Sequence, residues 1–468
     1  MKKKRHDKLI SFLTNCILLT FHTLLFAWVW LDTYNPGLTV SYQGRGRFVV
    51  LFLFFLFLFF CNQVFGGLRL GYYKVLDSIV GRSLSALCSY AVSYFIISLI
   101  AYRLVNPSAL LMASLISIIF NIGWTNLSNY IYYKVNPPRQ MLLIYGDSSI
   151  EEVYTKISSR SEKYEIIARV HYSAGEEELK RQIANQEAVI LHDLSAELRN
   201  HLIKYCYEKS IRVYVTPKLY DIMIRGAADM DLFDTPFLLM RNRGLTPLQA
   251  FTKRCMDIGI SLVCLVLTSP ILLLIIIIMK LFDKGPVLYR QTRLTLDGKE
   301  FQILKFRSMH VDAEKDSIRL QSRGDDRITP VGRVLRRTHL DELPQLFNII
   351  KGDMSFVGPR PERPEIARIY MEQIPEFSYR LKMKAGLTGY AQVYGKYNST
   401  PYDKLKLDLT YIQNYSFLLD IKLLLLTGKT LFIPDHAEGI SAVYQTALRE
   451  EVAVSQNKES EEANNHIL

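Results

Sequence analysis

No Cys-x-x-Cys pair occurs in this sequence. Its six cysteines, Cys16, Cys61, Cys88, Cys206, Cys255 and Cys264, are scattered, mostly within or beside apolar segments. That spacing argues against a disulfide framework and against a zinc site. A complete dinucleotide fingerprint is lacking too. The turn Gly146-Asp147-Ser148-Ser149 follows an apolar strand but has neither the second nor the third glycine, and Asp147 would face a pyrophosphate unfavourably. A scaffold that binds no nucleotide is the expectation there. The N-terminus has no small-residue cleavage site. Its basic opening MKKKRHDKLI runs into an apolar stretch from Leu9 to Leu31, too long for a signal-peptide core, and is expected to stay attached as a membrane helix.

What the chain has in quantity is apolar surface and positive charge. Hydrophobic residues make up 49% of its 468 positions, and 57 Lys and Arg against 45 Asp and Glu give a net charge of +12. That balance suits anionic lipid headgroups, phosphorylated substrates or nucleic acid, and by itself chooses none of them. Further apolar runs at 48–65, 84–105 and 109–133 each approach the ~20 residues of a membrane helix. Basic residues lie before the first run, between the second and third (Arg69, Lys74, Arg82) and after the fourth (Lys134, Arg139), which puts those sides in the cytoplasm. Arg45 and Arg47 weaken the contrast at the first outer loop. Residues 1–135 therefore read as a four-helix transmembrane domain. After the linker NPPRQ, short apolar runs alternate with polar helical segments over 141–235, so 136–250 reads as a Rossmann-like α/β domain and its linker.

The run Met256–Phe282 is long enough to cross a bilayer, and a crossing would carry everything after it out of the cell. Both flanks are basic, with Lys253 and Arg254 before and Lys280, Lys284, Arg290 and Arg293 after. Ser269-Pro270 stands in the middle, where proline removes a backbone donor and kinks a helix. A broken helix that dips in and returns to the same face fits those charges, provided that groups such as Ser269 satisfy the freed carbonyls.

Beyond it, strands Val287–Thr292 and Phe301–Phe306 are expected to form a hairpin around Asp297-Gly298, with Lys305 and Arg307 on one strand face as a pair able to grip a diphosphate. The stretch THLDELPQLFNIIKGDMSFVGPRPE then places adjacent carboxylates, Asp341 and Glu342, beside Leu340, Leu343, Leu346, Phe347 and Ile350 at helical spacing. Pro344 is comfortable only in a first turn, so the helix is expected to start near Asp341, and its N-terminal field to lower both carboxylate pKa values. Arg336 and Arg337 precede the dyad, and Arg360 and Arg363 follow on a proline-stiffened turn. Such a ring of positive charge suits phosphoryl transfer with Mg²⁺. His339 would not reliably share a face with Asp341 and reads as structural. Asp408 and Asp420 accompany a strongly apolar run that reads as lying on the membrane surface.

The ordered motifs KRCMDIGISLVCLVLTSP, GPVLYRQTR, LKFRSMH, LRRTHLDELPQLFNIIKGDMSFVGPRP, GLTGYAQV and DLTYIQNYSFLLDIKLLLLT closely resemble the bacterial sugar transferase family, over about 250–433. These are the monotopic phosphoglycosyl transferases, which move a sugar 1-phosphate from a nucleotide diphosphate sugar to polyprenyl phosphate. The preceding helices and Rossmann-like domain look like that family's large subtype. The resemblance implies that Asp341 is a nucleophile forming a phosphosugar-enzyme intermediate and that Glu342 binds Mg²⁺. It also implies that Arg336 and Arg360 contact the nucleotide or its phosphates, and that Ser269 and Pro270 break the membrane helix.

The expectation is thus a membrane protein of α plus α/β class in four parts. These are a four-helix transmembrane domain at 1–135, a Rossmann-like domain and linker at 136–250, a catalytic domain with a re-entrant broken helix at 251–433, and a polar tail at 434–468. Its partners would be a UDP-sugar, undecaprenyl phosphate and a second copy of itself, with no nucleic acid, on the cytoplasmic face of a bacterial inner membrane. The product would initiate a capsule, exopolysaccharide or O-antigen. Glucose and galactose are the family's common choices for the large subtype, and no residue here discriminates them. The alternatives are a membrane-tethered nucleotide-sensing scaffold and a metal-dependent phosphodiesterase.

Overall fold

Apolar runs of this length can satisfy their backbone polar groups in lipid only within a helix. The computed structural model of the chain forms them as α1 (Asp7–Val29, prolonged by a π-helical turn at Trp30–Tyr34), α2 (Gly46–Phe65), α3 (Val75–Ile100) and α4 (Ser108–Val135). Each is long and apolar enough to cross a membrane. The structure describes residues 6–38, 45–147, 150–232, 234–240, 244–282, 285–309, 327–395 and 400–430, so the 434–468 tail lies outside the described residues. Inside the bundle Phe26 stacks on Phe54 at 4.1 Å, and His22 meets Ser117 Oγ at 3.1 Å and Asn121 Oδ1 at 3.0 Å. Small inward residues, Ser85 and Ser89 on α3 and Ser114 and Ser117 on α4, let these helices approach closely. One loop charge of the sequence reading moves: α3 begins at Val75, so Arg82 lies within it and is buried, donating to Gly67 O at 2.9 Å and Thr125 Oγ1 at 2.9 Å.

The next segment forms the expected parallel sheet, with strands β1 (Arg139–Tyr145), β2 (Tyr164–His171), β3 (Ala188–His192) and β4 (Arg212–Val215) in the order β2-β1-β3-β4. Helices α5 (Glu151–Ser158), α6 (Glu176–Ala184) and α7 (Ala196–Glu208) alternate with them. Leu142, Ile144, Val189 and Leu191 pack into one cluster and Met141, Leu143, Ala188 and Ile190 into another, the two-sided burial of a parallel sheet. The sheet and the bundle share one compact unit, Met1–Lys218. Arg139 pairs with Asp7 at 3.4 Å, and Arg160 donates to Tyr72 O at 3.0 Å and Tyr73 O at 3.2 Å. Gly146 serves backbone contact here: a Cβ on it would stand 2.0 Å from Asp193 O.

The second unit is Leu219–Leu468. It opens with α8 (Leu219–Arg225) and a hairpin of β5 (Ala228–Leu232) and β6 (Thr235–Leu239). The sequence reading placed these with the middle domain, yet Ile222 packs against Phe377, Leu405 and Leu409, because the core that can bury it lies downstream. Helix α9 (Pro247–Phe282) follows, then the antiparallel pair β7 (Leu288–Leu294) and β8 (Glu300–Phe306), joined through Asp297 and Gly298 in left-handed conformations. The remainder comprises α10 (Pro330–Arg337), α11 (Gln345–Lys351), β9 (Ser355–Val357), α12 (Pro364–Gln373), β10 (Gly386–Thr388) pairing parallel with β9, α13 (Tyr390–Tyr394), α14 (Pro401–Gln413) and α15 (Phe417–Thr430).

Helical structure in α9 is continuous through Pro270, with no gap at the expected break. Proline leaves the carbonyl four residues back, on Val266, without its donor. Ser269 Oγ donates to that carbonyl at 2.8 Å, supplying the donor that the proline removes. Both ends of α9 are fixed by polar or apolar contacts. At the first, Lys253 Nζ lies 2.6 Å from Asp420 Oδ2, Arg254 donates to Ile349 O and Ile350 O, and Asp257 Oδ1 accepts from Ser355 Oγ and Phe356 N at 3.0 Å. At the other, Ile275 and Met279 pack against Phe306 and Leu335. Between them Leu262, Val263, Val266, Leu267, Leu273 and Leu274 are exposed.

Candidate functional site

Thr329 caps α10, its hydroxyl accepting from Gly332 N at 3.0 Å, and Pro330 starts the helix with its φ already set. At the far end His339 adopts φ 55°, in the left-handed region, and turns the chain into a 3₁₀ turn, Leu340–Glu342. The two carboxylates sit in that turn. Pro344 caps α11, which begins at Gln345. The sequence expectation of a helix starting at Asp341 is therefore corrected: the dyad precedes the helix, and its electrostatics come chiefly from side chains.

Those side chains treat the two acids differently. Glu342 Oε1 accepts from Lys305 Nζ at 2.7 Å and from Arg360 Nη2 at 3.2 Å. Burial pushes the Glu342 carboxyl up, but Lys305 and Arg360 more than offset that and hold it at about 2. Asp341 is buried, and among the described residues no hydrogen bond or ion pair engages its carboxylate. Burial raises its pKa above the ordinary value, with the Glu342 charge adding to the rise and Lys305, Arg336 and His339 opposing it. The expected lowering of both acids holds for Glu342 alone, because desolvation outweighs the neighbouring cations at Asp341.

The expected cations divide similarly. Lys305 continues the inward row of Phe301 and Ile303 on β8 and so reaches Glu342. Arg307 lies one residue past the end of β8 and is buried, its Nη1 against the backbone of Gly285, where a Cβ would meet it at 2.3 Å. Arg307 therefore does not lie on an open strand face beside Lys305. Arg336 Nε donates to Ser308 Oγ at 2.7 Å, while its Nη1 is buried without a partner among the described residues, a donor available to an anion. Arg360 projects from the Pro-Arg-Pro turn, its side chain about half exposed. Asp408 and Asp420, read as part of a membrane-surface run, are buried instead and pair with Arg380 at 2.8 Å and Lys253 at 2.6 Å.

His339, read as structural from the sequence, supplies the left-handed residue that opens the turn carrying both acids. That left-handed backbone is invisible to a helix or strand periodicity.

An adjacent pair of acids, one gripped by cations and one free, beside a buried guanidinium nitrogen without a partner, is equipment for handling phosphate esters. The long apolar helices make this a membrane protein. Residues 248–434 match the family model described as bacterial sugar transferase. A UDP-glucose:undecaprenyl-phosphate glucose-1-phosphate transferase of Caulobacter vibrioides is 41% identical over 210 residues, covering 43% of this chain and 79% of that protein. A UDP-N-acetylgalactosamine-undecaprenyl-phosphate N-acetylgalactosaminephosphotransferase of Aeromonas hydrophila is 39% identical, covering 40% of this chain and 45% of its own length. The Escherichia coli UDP-glucose:undecaprenyl-phosphate glucose-1-phosphate transferase is 38% identical, over 44% of this chain and 43% of its own. The chain belongs to the bacterial sugar transferase family, and it is an enzyme.

Proposed function

We propose that the enzyme transfers a hexose 1-phosphate from a UDP-sugar to undecaprenyl phosphate at the cytoplasmic face of the inner membrane, initiating a surface glycan. The observation that carries this reading is the free, buried Asp341 carboxylate beside a Glu342 held ionised by Lys305 and Arg360. In the first step an Asp341 oxygen attacks the β-phosphorus of the donor. A phosphorus–carboxylate bond forms, the bond to the bridging oxygen breaks, and UMP departs with that electron pair. In the second, an oxygen of undecaprenyl phosphate attacks the same phosphorus and Asp341 leaves as the carboxylate. Arg336 and Arg360 bind the diphosphate and stabilise the charge that gathers on UMP.

The donor set fits Mg²⁺, which favours one or two carboxylates completed by substrate phosphates and water. Glu342 is the carboxylate that would hold it, beside Lys305 and Arg360. Bound there, the ion would neutralise diphosphate charge. The relatives' names divide between glucose and N-acetylgalactosamine, so the sugar needs a direct test. Full-length enzyme in nanodiscs, given undecaprenyl phosphate and a panel of UDP-sugars, is expected to release UMP with at least one donor and to place labelled sugar phosphate on the lipid. Label appearing as free sugar phosphate instead would identify a phosphodiesterase.

The same reading requires α9 to enter and leave by one face. Asp420, Ile349 and Ser355 hold its first end, and Phe306 and Leu335 hold its second. All these partners come after α9 in the chain, so a crossing would force one small domain to reach both sides of ~30 Å of hydrocarbon. Cysteines at Ala250 and Lys280, both exposed, in a background lacking the native cysteines, are expected to resist an impermeant thiol reagent outside intact cells. Both should label after permeabilisation. External labelling of the 280 site alone would show a full crossing.

A further inference from the structure

Arg360 reaches Glu342 from a turn that cannot brace itself. Pro359 and Pro361 have no N–H, so two of the four residues at 359–362 can donate nothing to a ladder of their own. Their carbonyls are taken instead by surrounding elements. Pro359 O accepts from Gly386 N at 2.9 Å, and Glu362 O from Leu294 N at 3.1 Å. Arg360 O accepts from Arg380 Nη2 at 2.8 Å, and Pro361 O from Arg293 Nη1 at 3.1 Å.

Arg380 lies in the 3₁₀ segment Pro375–Lys382 and is 4% exposed. Its nitrogens are engaged on every side. Nε and Nη2 contact Asp408 Oδ2 at 3.0 Å and 2.8 Å, and Nη1 stands 3.5 Å from Glu362 Oε1. Asp408 is 1% exposed, on α14, and neither residue touches the dyad. A buried ion pair is in general weak evidence for stability, since apolar replacements often serve as well. This pair does something an apolar replacement could not, because its guanidinium donates to the backbone of the residue that meets Glu342.

We propose that Arg380, oriented by Asp408, is a positioning residue for Arg360, fixing the main chain at 360 so that its guanidinium meets the donor diphosphate. This rests on the function proposed above. Arg380 supplies one donor to the Arg360 carbonyl and spends its others on Asp408 and Glu362, so that movement of the 3₁₀ segment and of the turn is coupled. A shift of about 1 Å in a group that stabilises leaving-group charge is enough to lower turnover by about 100-fold.

The test is a double-mutant cycle on the full chain in nanodiscs, using the donor that wild type turns over in the UDP-sugar panel. Asp408→Asn is expected to lower kcat by about 100-fold in the wild-type background. In the Arg360→Ala background the same change should lower it further by no more than about two-fold, since the residue it acts through has already gone. Its effect on the thermal midpoint should be equal in the two backgrounds. Equal losses of kcat in both would show that Asp408 acts only on the fold and would overturn the proposal. If Asp408→Asn does not fold, Arg380→Lys takes its place, keeping the charge but giving up the fork that reaches Asp408 and Arg360 O together. A wild type that turns over no donor in the panel would sink the function itself, and this inference with it.

Discussion

Asp341→Asn should remove turnover by about 10⁴-fold or more while leaving the fold intact. The two halves of that expectation have separate physical causes. The catalytic half follows from chemistry: an amide oxygen is a poor nucleophile, so neither the phosphosugar adduct nor UMP release survives. The structural half follows from the isolation of the Asp341 carboxylate, which engages no hydrogen bond or ion pair among the described residues. Its folded-state pKa stands above the ordinary 3.8 because burial disfavours the charge. The folded state therefore binds this proton more tightly than the unfolded state, and above pH 3.8 the ionised group weakens the fold as pH rises through the raised value. Asparagine removes that penalty, so the thermal midpoint at neutral pH should hold or rise. Donor labelled in its β-phosphate should leave radioactivity on wild-type protein and none on the variant. Persistent labelling of the variant, or sequential kinetics without an adduct in wild type, would move the nucleophile elsewhere. Glu342→Gln provides the contrast, since it strips Lys305 and Arg360 of their shared partner and should lower stability and activity together.

Much of this was legible in the residue order, and the exceptions share a cause. Periodicity and length found all four helices of the bundle and each strand of the parallel sheet, because both signals are local. The hairpin around Asp297-Gly298 followed from turn chemistry, and Ser269 was anticipated as the partner for the carbonyl that Pro270 leaves free. What sequence could not supply was desolvation and long-range pairing. Asp408 and Arg380 are separated by 28 positions, and Asp420 and Lys253 by 167. Nothing in either neighbourhood announces the other. The same holds for Asp341, whose pKa direction depends on what buries it, and for Arg307, whose place two residues from Lys305 suggested an open strand face where the structure buries it past the end of β8. The motif located the candidate site, while its electrostatics depended on packing that the motif does not encode.

Backbone packs closely against backbone just before the Pro-Arg-Pro turn, and Gly358→Ala is expected to show it. A Cβ on Gly358 would stand 2.3 Å from Lys384 O and 3.0 Å from Gly386 N, while one on Gly386 would meet Gly358 N at 2.1 Å. These are main-chain atoms of β9 and β10 and the residues beside them, tied together by Gly358 N to Thr388 O at 2.8 Å and Ser355 N to Ala385 O at 2.8 Å. A flexible side chain could swing aside, but a hydrogen-bonded backbone cannot. The methyl group must therefore open the pairing of β9 with β10, for a loss of about 3 kcal/mol, the upper end for overpacking. Displacement would pass directly to Pro359, whose carbonyl is held by Gly386 N, and thence to Arg360 and Glu342. The expected result is a lower thermal midpoint together with a turnover loss of about 100-fold in whatever fraction stays folded. Gly428→Ala is the matched control in the same unit: it lies inside α15 with nothing within 4 Å of a Cβ, and alanine there should leave turnover unchanged and stabilise the helix by about 0.5–1 kcal/mol. If Gly358→Ala matched that control in both measurements, the close backbone contact between β9 and β10 would not be what holds Arg360 in reach of Glu342.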